Sequence, residues 1–302
     1  MKYLILKITN RCNLNCIYCY ANNYNINRNI KDNIHKNKKN KDMAFKTAKK
    51  AIDYILEIDD NLKIQFTGGE PLLNFKLIED TVNYCNKSYS GKNISFAIQT
   101  NGTLTDENII KKLKKLNVAI GISLDTIDIH DNILRPYKDG NSSTLDTLRG
   151  IYLLKNNNIP FGITSVITNK NLPYIKDFVE YLMALGVNSI SFDLLKPKKK
   201  EHLQLLPNED EFNRILMELK NYPIYIKNLQ KRPNDRYCYL NSGDLLFVNE
   251  LGDIYPCPTL EGHLYMGNIH SINKEKLKLF KIKCNYCFAR RFLINKLINL
   301  VK

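Results

Sequence analysis

Three cysteines near the N-terminus have the spacing of a metal-binding loop. Cys12, Cys16 and Cys19 form the pattern C-x3-C-x2-C. Thiolates are the soft ligands that iron–sulfur clusters use. Three of them can hold three irons of a four-iron cubane and leave the fourth iron open to another ligand. The alternative is a zinc site that a distant residue such as His35 completes.

A second group of cysteines lies in the last quarter of the chain. Its members are Cys238, Cys257, Cys284 and Cys287, and the last two form a C-x2-C pair. Four thiolates close a coordination shell, so this group has no need of a further ligand. Composition alone leaves both structural zinc and an iron–sulfur cluster open. The eighth cysteine, Cys85, falls on a predicted helix and is expected to be a buried, inert thiol.

The segment Thr67-Gly68-Gly69-Glu70-Pro71 has residue types that suit a small ligand. Glycines allow a backbone to approach a ligand closely. A carboxylate such as that of Glu70 accepts charge-assisted hydrogen bonds from an ammonium group. Taken alone, the segment also reads as an ordinary turn ahead of a helix.

The elements that must position these residues alternate between strand and helix. The predicted strands are 3–8, 63–66, 94–99, 118–124, 161–167 and 189–194, and the predicted helices include 77–85, 106–116, 143–155, 172–185 and 209–219. Asp42 is predicted to cap the first helix, whose apolar face is Phe45, Ala48, Ile52, Ile55 and Leu56. Six strand–helix units in series require parallel strands with helices outside them. Six units could form either an open sheet or a curved, partly closed barrel. The motifs follow the strands, where functional groups collect in parallel barrels, and this favours the barrel.

The alternation stops near residue 221. A hairpin is predicted from 245–248 and 253–255, followed by a basic amphipathic helix and, after Cys287, an apolar-basic helix. We therefore expect two domains, residues 1–220 and residues 221–302.

The first cysteine loop and the Gly-Gly-Glu-Pro segment together resemble the radical S-adenosylmethionine (SAM) superfamily. Tyr18 provides the aromatic residue that precedes the third cysteine in the family's CxxxCxΦC signature. The resemblance implies an α/β fold, a partial (β/α)6 TIM-like barrel. It also implies that a [4Fe-4S] cluster on Cys12, Cys16 and Cys19 binds SAM through its open iron. Tyr18 would pack near the adenine, and Gly68, Gly69, Glu70 and Pro71 would bind the SAM amino group.

Further matches to the family follow the later strands. Gln99 and Asn101 stand where the family places polar contacts to SAM, and Ser123 and Asp125 resemble its ribose-binding segment. Arg135 is expected to pair with the SAM carboxylate.

Two positions near these matches are assigned more loosely. His130-Asp131 resembles the loop that precedes the arginine, but we interpret His130 as structural. Leu195, after the last predicted strand, is expected to flank the adenine. This last assignment rests on position alone.

The C-terminal part resembles the SPASM and twitch domains attached to radical SAM barrels. The resemblance rests on Asp253-Ile254-Tyr255-Pro256-Cys257 and on Met266-Gly267-Asn268-Ile269. It implies a second, auxiliary [4Fe-4S] cluster on Cys238, Cys257, Cys284 and Cys287. Since no cysteine follows Cys287, the match is to the shorter twitch type with one auxiliary cluster.

The resemblance implies that a reduced cluster cleaves SAM and that the resulting 5′-deoxyadenosyl radical abstracts hydrogen from a substrate. An external one-electron reductant of the flavodoxin or ferredoxin type would be required. We expect a peptide substrate that is crosslinked, oxidised or epimerised. Because the chain begins with the first strand, a separate partner protein would supply leader recognition. The alternatives are a sugar or aminocyclitol dehydrogenase and a non-catalytic protein that binds zinc or a cluster.

Composition agrees with an intracellular metalloprotein. The sequence is 44% hydrophobic and carries a formal charge of +15. We interpret the basic runs Lys36–Lys41 and Lys196–Lys200 as solvated loops, so nucleic acid is not an expected partner, although the surplus charge could attract an acidic leader segment.

No secretory signal or membrane span is present, which predicts a cytoplasmic protein with no membrane partner. In that reducing compartment eight cysteines are not a disulfide framework.

Overall fold

A computed structural model describes residues 1–21, 42–128, 133–230, 237–272 and 279–300. The expectations for His35, for the Lys36–Lys41 run and for His130-Asp131 lie outside the described residues. The predicted basic helix after Ile272 falls largely on residues 273–278, which are also outside them.

The chain divides into two compact units. The first comprises residues 1–13, 20–98 and 236–289, and the second comprises residues 14–19, 99–235 and 290–302. These units do not follow the predicted boundary near residue 220, which stays a prediction about where the two functional regions meet.

The first unit is built on a mostly parallel sheet. Its strands are β1 (Lys2–Thr9), β2 (Asn61–Gly68), β3 (Asn93–Thr100), β8 (Leu245–Val248), β9 (Asp253–Tyr255) and β10 (Gly267–Asn268), in the order β10-β9-β8-β1-β2-β3. The last two residues of β3 belong to the second unit. β1 runs parallel to β2 with Lys2 opposite Leu62, and β2 runs parallel to β3. Leu4, Leu6 and Ile8 on one face of β1 are fully buried and Ile5 and Lys7 on the other are also buried, as expected for a strand covered on both faces.

The C-terminal part contributes a strand to this sheet. β8 lies parallel to β1, with Tyr3 opposite Leu245. The predicted hairpin is confirmed, because β8 and β9 pair antiparallel with Phe247 opposite Tyr255. Gly252 in the turn has φ +88°, a left-handed conformation that favours glycine.

The second unit contains four neighbouring parallel strands. Its strands are β4 (Val118–Ser123), β5 (Phe161–Ile167), β6 (Ser189–Leu194) and the two-residue β7 (Tyr225–Ile226), in the order β4-β5-β6-β7. All three neighbouring pairs are parallel. The sequence did not predict β7, because two residues are too short to show a periodic pattern.

The helices complete the strand–helix alternation. They are α1 (Phe45–Leu56), α2 (Phe75–Ser88), α3 (Glu107–Lys115), α4 (Thr144–Asn156), α5 (Ile175–Ala184), α6 (Glu209–Glu218), α7 (Tyr239–Ser242) and α8 (Phe288–Asn299). The prediction of six strand–helix units is confirmed, and the protein is an α/β protein with parallel strands. Among the described residues, no helix is long and apolar enough to cross a membrane.

The prediction that Asp42 caps α1 is wrong. The N-cap is Ala44, which makes no side-chain cap. Asp42 lies two residues earlier, where its carboxylate accepts from the Thr9 hydroxyl at 2.6 Å and from the Arg11 guanidinium at 2.7 Å. Phe45 is 37% exposed and does not share the buried face of α1.

The basic run after β6 is not wholly solvated. Lys198 is only 4% exposed, and its backbone N–H donates to Nδ1 of the buried His202 at 3.1 Å. Lys196 forms an ion pair with Asp193 at 2.8 Å. The prediction of a solvated loop is therefore wrong for Lys198, because its backbone is tied into a turn with the buried His202.

Candidate functional site

In the first unit, the segment after β1 packs directly on the segment after β2. The Gly69 N–H donates to the Thr9 carbonyl at 2.9 Å, and the Glu70 N–H donates to the Arg11 carbonyl at 2.7 Å. A Cβ atom at position 69 would lie 2.2 Å from the Arg11 carbonyl oxygen and 2.9 Å from Cβ of Cys12. Only glycine allows this approach, so the backbone around Cys12 depends on Gly69.

The carboxylate of Glu70 is held at the start of the following turn. Its Oε1 accepts from the Leu72 N–H at 3.0 Å, and Pro71 occupies a first-turn position of the 3-10 helix where no backbone donor is needed. Glu70 is 1% exposed. A buried carboxylate of this kind can accept charge-assisted hydrogen bonds from an ammonium group.

In the second unit, residues 14–19 of the cysteine loop are fixed against residues 134–137. The Asn15 N–H donates to the Pro136 carbonyl at 2.8 Å, and the Ile17 N–H donates to the Leu134 carbonyl at 3.1 Å. Within the loop, the Cys19 N–H donates to the Cys16 carbonyl at 3.1 Å. The conformation between Cys16 and Cys19 is therefore set by backbone hydrogen bonds.

Three predicted site residues meet in one buried network. The Tyr18 hydroxyl donates to the Asp125 carboxylate, and Nη1 of Arg135 donates to the Tyr18 oxygen at 2.9 Å. The other Asp125 oxygen accepts from the Val166 N–H at 2.7 Å. Burial raises the pKa of the Asp125 carboxyl, although Arg135 opposes that shift, and it also raises the pKa of the Tyr18 phenol.

Leu195 lies against the same aromatic ring. It forms a buried cluster with Tyr18 and Leu134, and Cys16 packs against this cluster. The carbonyl oxygen of Leu195 accepts from Nε of Arg290 at 2.9 Å. The structure thus brings Leu195 and Tyr18 together, as expected if both flank one ligand ring.

The polar residues at the ends of β3 and β4 divide into two groups. Nε2 of Gln99 donates to the Ser123 hydroxyl at 2.9 Å, so these two predicted contacts are neighbours. The oxygen of the Asn101 side chain instead accepts from the Thr103 N–H at 3.0 Å and from the Thr103 hydroxyl at 2.7 Å. Asn101 therefore stabilises the turn after β3.

The C-terminal cysteines lie in the first unit. Cys257 is buried two residues after β9, Cys238 precedes α7, and Cys284 and Cys287 precede α8. Asn241, which sequence reasoning missed, connects two of these segments. Its Oδ1 accepts from the Cys238 N–H at 2.8 Å, and its Nδ2 donates to Sγ of Cys284 at 3.1 Å. Its place three residues after Cys238 was the only signal in the sequence.

All eight cysteines lie in the described ranges, and none of them is in a disulfide. Within those ranges, no group of three or more His, Cys, Asp or Glu side chains is arranged to hold a metal ion. The donor set still fits an iron–sulfur protein, because the motif residues supply soft thiol ligands and Gly69 leaves room for the Cys12 backbone. Cys85 is buried in α2 as expected, and burial raises the pKa of its thiol to about 12.

The chain is similar in sequence and in fold to known proteins. A family model described as the radical SAM superfamily matches residues 6–182. The chain is 66% identical to MJ0907 of Methanocaldococcus jannaschii, described as an uncharacterized protein, over 97% of both chains. It is 28% identical to the radical SAM cyclopropyl synthase TigE of Paramaledivibacter caminithermalis, covering 90% of this chain and 60% of TigE.

Two further matches concern enzymes that act on proteins or peptides. The chain is 34% identical to a cysteine-type anaerobic sulfatase-maturating enzyme of Clostridium novyi, covering 57% of this chain and 44% of that enzyme. Its fold is similar to the structure of anSMEcpe with bound AdoMet and the Cp18Cys peptide, with a TM-score of 0.73 at 23% identity. That match covers 96% of this chain and 87% of the other.

Proposed function

The chain belongs to the radical SAM superfamily, and from this premise we propose that it is a peptide-modifying enzyme with an auxiliary iron–sulfur cluster. Membership implies SAM and one [4Fe-4S] cluster. The packing of Gly69 and Glu70 on the Arg11–Cys12 backbone supports the assignment of this site as catalytic. The named activities of the relatives support the peptide substrate.

The bound cluster and SAM would supply one-electron chemistry that starts hydrogen abstraction from the substrate. Cys12, Cys16 and Cys19 would hold this cluster. The chain's other residues would bind and orient SAM. Glu70 would accept from its ammonium group through a carboxylate that the Leu72 N–H already orients.

The buried network in the second unit would define the adenine and ribose end of the SAM site. Leu195 and the ring of Tyr18 offer an apolar surface, and burial of both side chains keeps water away from it. Asp125 and Arg135 fix the tilt of that ring through its hydroxyl. Gln99 and Ser123 would make polar contacts to SAM.

We further propose that residues 1–220 form a partial (β/α)6 barrel and that residues 221–302 form a twitch-type region. In this region Cys238, Cys257, Cys284 and Cys287 would hold a second [4Fe-4S] cluster. An external one-electron reductant and, for leader recognition, a partner protein complete the proposed system.

The catalytic assignment is tested by SAM cleavage. Protein that has been reconstituted anaerobically and reduced is expected to form 5′-deoxyadenosine slowly even without substrate. Replacing Cys12, Cys16 and Cys19 together with alanine is expected to abolish the product, because the iron that binds SAM is lost. Continued cleavage in the triple variant would refute the assignment.

The substrate assignment is tested by coexpression with a short neighbouring open reading frame, followed by mass spectrometry. A loss of about two mass units is expected for a crosslink or an oxidation, and exchange of one α-hydrogen in deuterated solvent for epimerisation. An unaltered peptide together with oxidation of a sugar or aminocyclitol would replace the peptide assignment with the small-molecule alternative.

A further inference from the structure

Two segments that carry C-terminal cysteines meet on one carboxamide, that of Asn241. Its Oδ1 accepts from the Cys238 N–H at 2.8 Å. Its Nδ2 donates to the Ile282 carbonyl at 2.8 Å and to Sγ of Cys284 at 3.1 Å. The amide therefore uses both its acceptor and its donor ends, one on each segment.

This arrangement exceeds what a helix cap requires. The cap of α7 is a capping box: the Cys238 side chain accepts from the Asn241 N–H, and the Asn241 side chain accepts from the Cys238 N–H, so the cap uses only the acceptor end of the Asn241 amide. The opposite end of the amide reaches the segment that precedes α8 and ends on a sulfur atom. A side chain that orients one metal ligand and hydrogen-bonds another has the role of the outer partners that surround metal sites.

We propose that Asn241 is a positioning residue of the C-terminal metal site. It holds the Cys238 backbone and the Cys284 sulfur in place before metal enters. Its N–H to the Cys284 sulfur also raises the reduction potential of an iron–sulfur cluster bound there, because a donor to sulfur stabilises the more negative, reduced state. The effect on potential rests on the proposed auxiliary cluster, whereas the positioning role applies to any metal that the four cysteines bind.

Two substitutions separate the two ends of the amide. Asn241→Asp keeps the size of the side chain and the acceptor for the Cys238 N–H, but it replaces the donor to Cys284 and to the Ile282 carbonyl with a charged oxygen. Asn241→Ala removes both ends. Asn228→Ala is the matched control, because Asn228 is also partly buried and bonds the Phe192 backbone through both ends of its amide, at 2.8 Å each.

The experiment uses full-length protein in which Cys12, Cys16 and Cys19 are replaced with alanine, so that only the C-terminal site binds metal. After anaerobic reconstitution with iron and sulfide, iron and zinc are counted, metal loss to a chelator is measured, and the reduction potential is determined by a titration followed by electron paramagnetic resonance. Circular dichroism melting reports on folding.

Asn241→Ala is expected to weaken metal retention about 10- to 100-fold. Asn241→Asp is expected to keep its metal but to show a lower reduction potential, and Asn228→Ala is expected to match the parent in both. The proposal is overturned if the Asn241 variants match the parent in metal retention and in reduction potential. It is also overturned if Asn228→Ala loses as much metal as they do. If the parent protein binds zinc and no iron, the auxiliary cluster and the effect on its reduction potential are contradicted. The positioning role is then tested by comparing zinc retention between the parent and the Asn241 variants.

Discussion

At the scale of single residues, chemistry in this protein depends on buried groups whose partners are already in place. Tyr18, Asp125 and Arg135 satisfy one another through hydrogen bonds, and the carboxylate of Asp125 also accepts from a backbone N–H. Removing one member of such a network leaves a buried group without its partner, which costs about 1–3 kcal/mol. The same reasoning applies to Glu70, whose orientation depends on the backbone of its own turn.

We predict that Glu70→Gln weakens SAM binding roughly 10- to 100-fold, since a hydrogen bond to a charged group contributes about 1.5–3 kcal/mol. The glutamine oxygen can still accept from the Leu72 N–H, so the turn should persist. Binding is measured by equilibrium dialysis with the reconstituted enzyme. Glu218→Gln is the control: Glu218 lies on α6 and forms a partly exposed ion pair with Lys176 of α5, so this variant should bind SAM normally. Equal affinity in both variants would exclude a role for the Glu70 charge.

Cys85 is predicted to resist alkylation in the folded protein. Its thiol is 1% exposed, and a pKa raised to about 12 leaves almost no thiolate at neutral pH. Metal-free protein treated with iodoacetamide at pH 7.5 should therefore carry no label at Cys85, as read by peptide mass spectrometry. Unfolding in guanidinium chloride should expose it to labelling. Rapid labelling of Cys85 in the native state would contradict its burial.

At the scale of elements, the loops after neighbouring parallel strands are coupled by close backbone contact. The turn after β2 bonds the backbone after β1, and Gly69 is the position where a side chain cannot be accommodated. Because β1 and β2 are parallel neighbours, the loops that follow them lie at the same edge of the sheet. Functional loops of parallel α/β proteins usually lie at this edge.

Gly69→Ala is predicted to lower both iron content and SAM cleavage. Its Cβ would overlap the Arg11 carbonyl, so the two loops must separate and the Cys12 backbone must shift. Gly91→Ala is the matched control, because a Cβ there meets no atom within 4 Å. Iron and 5′-deoxyadenosine are measured for both variants after identical anaerobic reconstitution. The idea fails if Gly69→Ala behaves as Gly91→Ala does.

At the scale of the whole molecule, the cysteines fall into two groups that are distant in sequence. The first group follows β1, and the second is spread over the segments around β8, β9 and α8. The strand β8, which lies between two of the C-terminal cysteines, pairs with β1. Folding of the C-terminal part is therefore expected to depend on the N-terminal strand.

Metal content is predicted to be about eight irons per chain in the reconstituted protein, as two four-iron cubanes require. The variant without Cys12, Cys16 and Cys19 should keep about four irons on the C-terminal cysteines. Elemental analysis together with visible absorption provides the measurement. If that variant holds zinc and no iron, the auxiliary cluster is contradicted and the C-terminal cysteines form a structural zinc site.

The alternation of strands and helices and the local motifs could be predicted from the sequence alone. Both are local properties: a buried strand such as β1 is a short apolar run, and ligand spacings such as that of Cys12, Cys16 and Cys19 are visible in consecutive residues. The partner of each polar group, in contrast, becomes known only from the folded structure. Asp42 bonds Thr9 and Arg11 rather than a helix end, Lys198 is buried, and Asn241 reaches Cys284, because these contacts join residues that folding brings together from distant or differently oriented segments. The pairing of β8 with β1 belongs to the same class, since strand register depends on packing across the chain and not on the pattern of either strand.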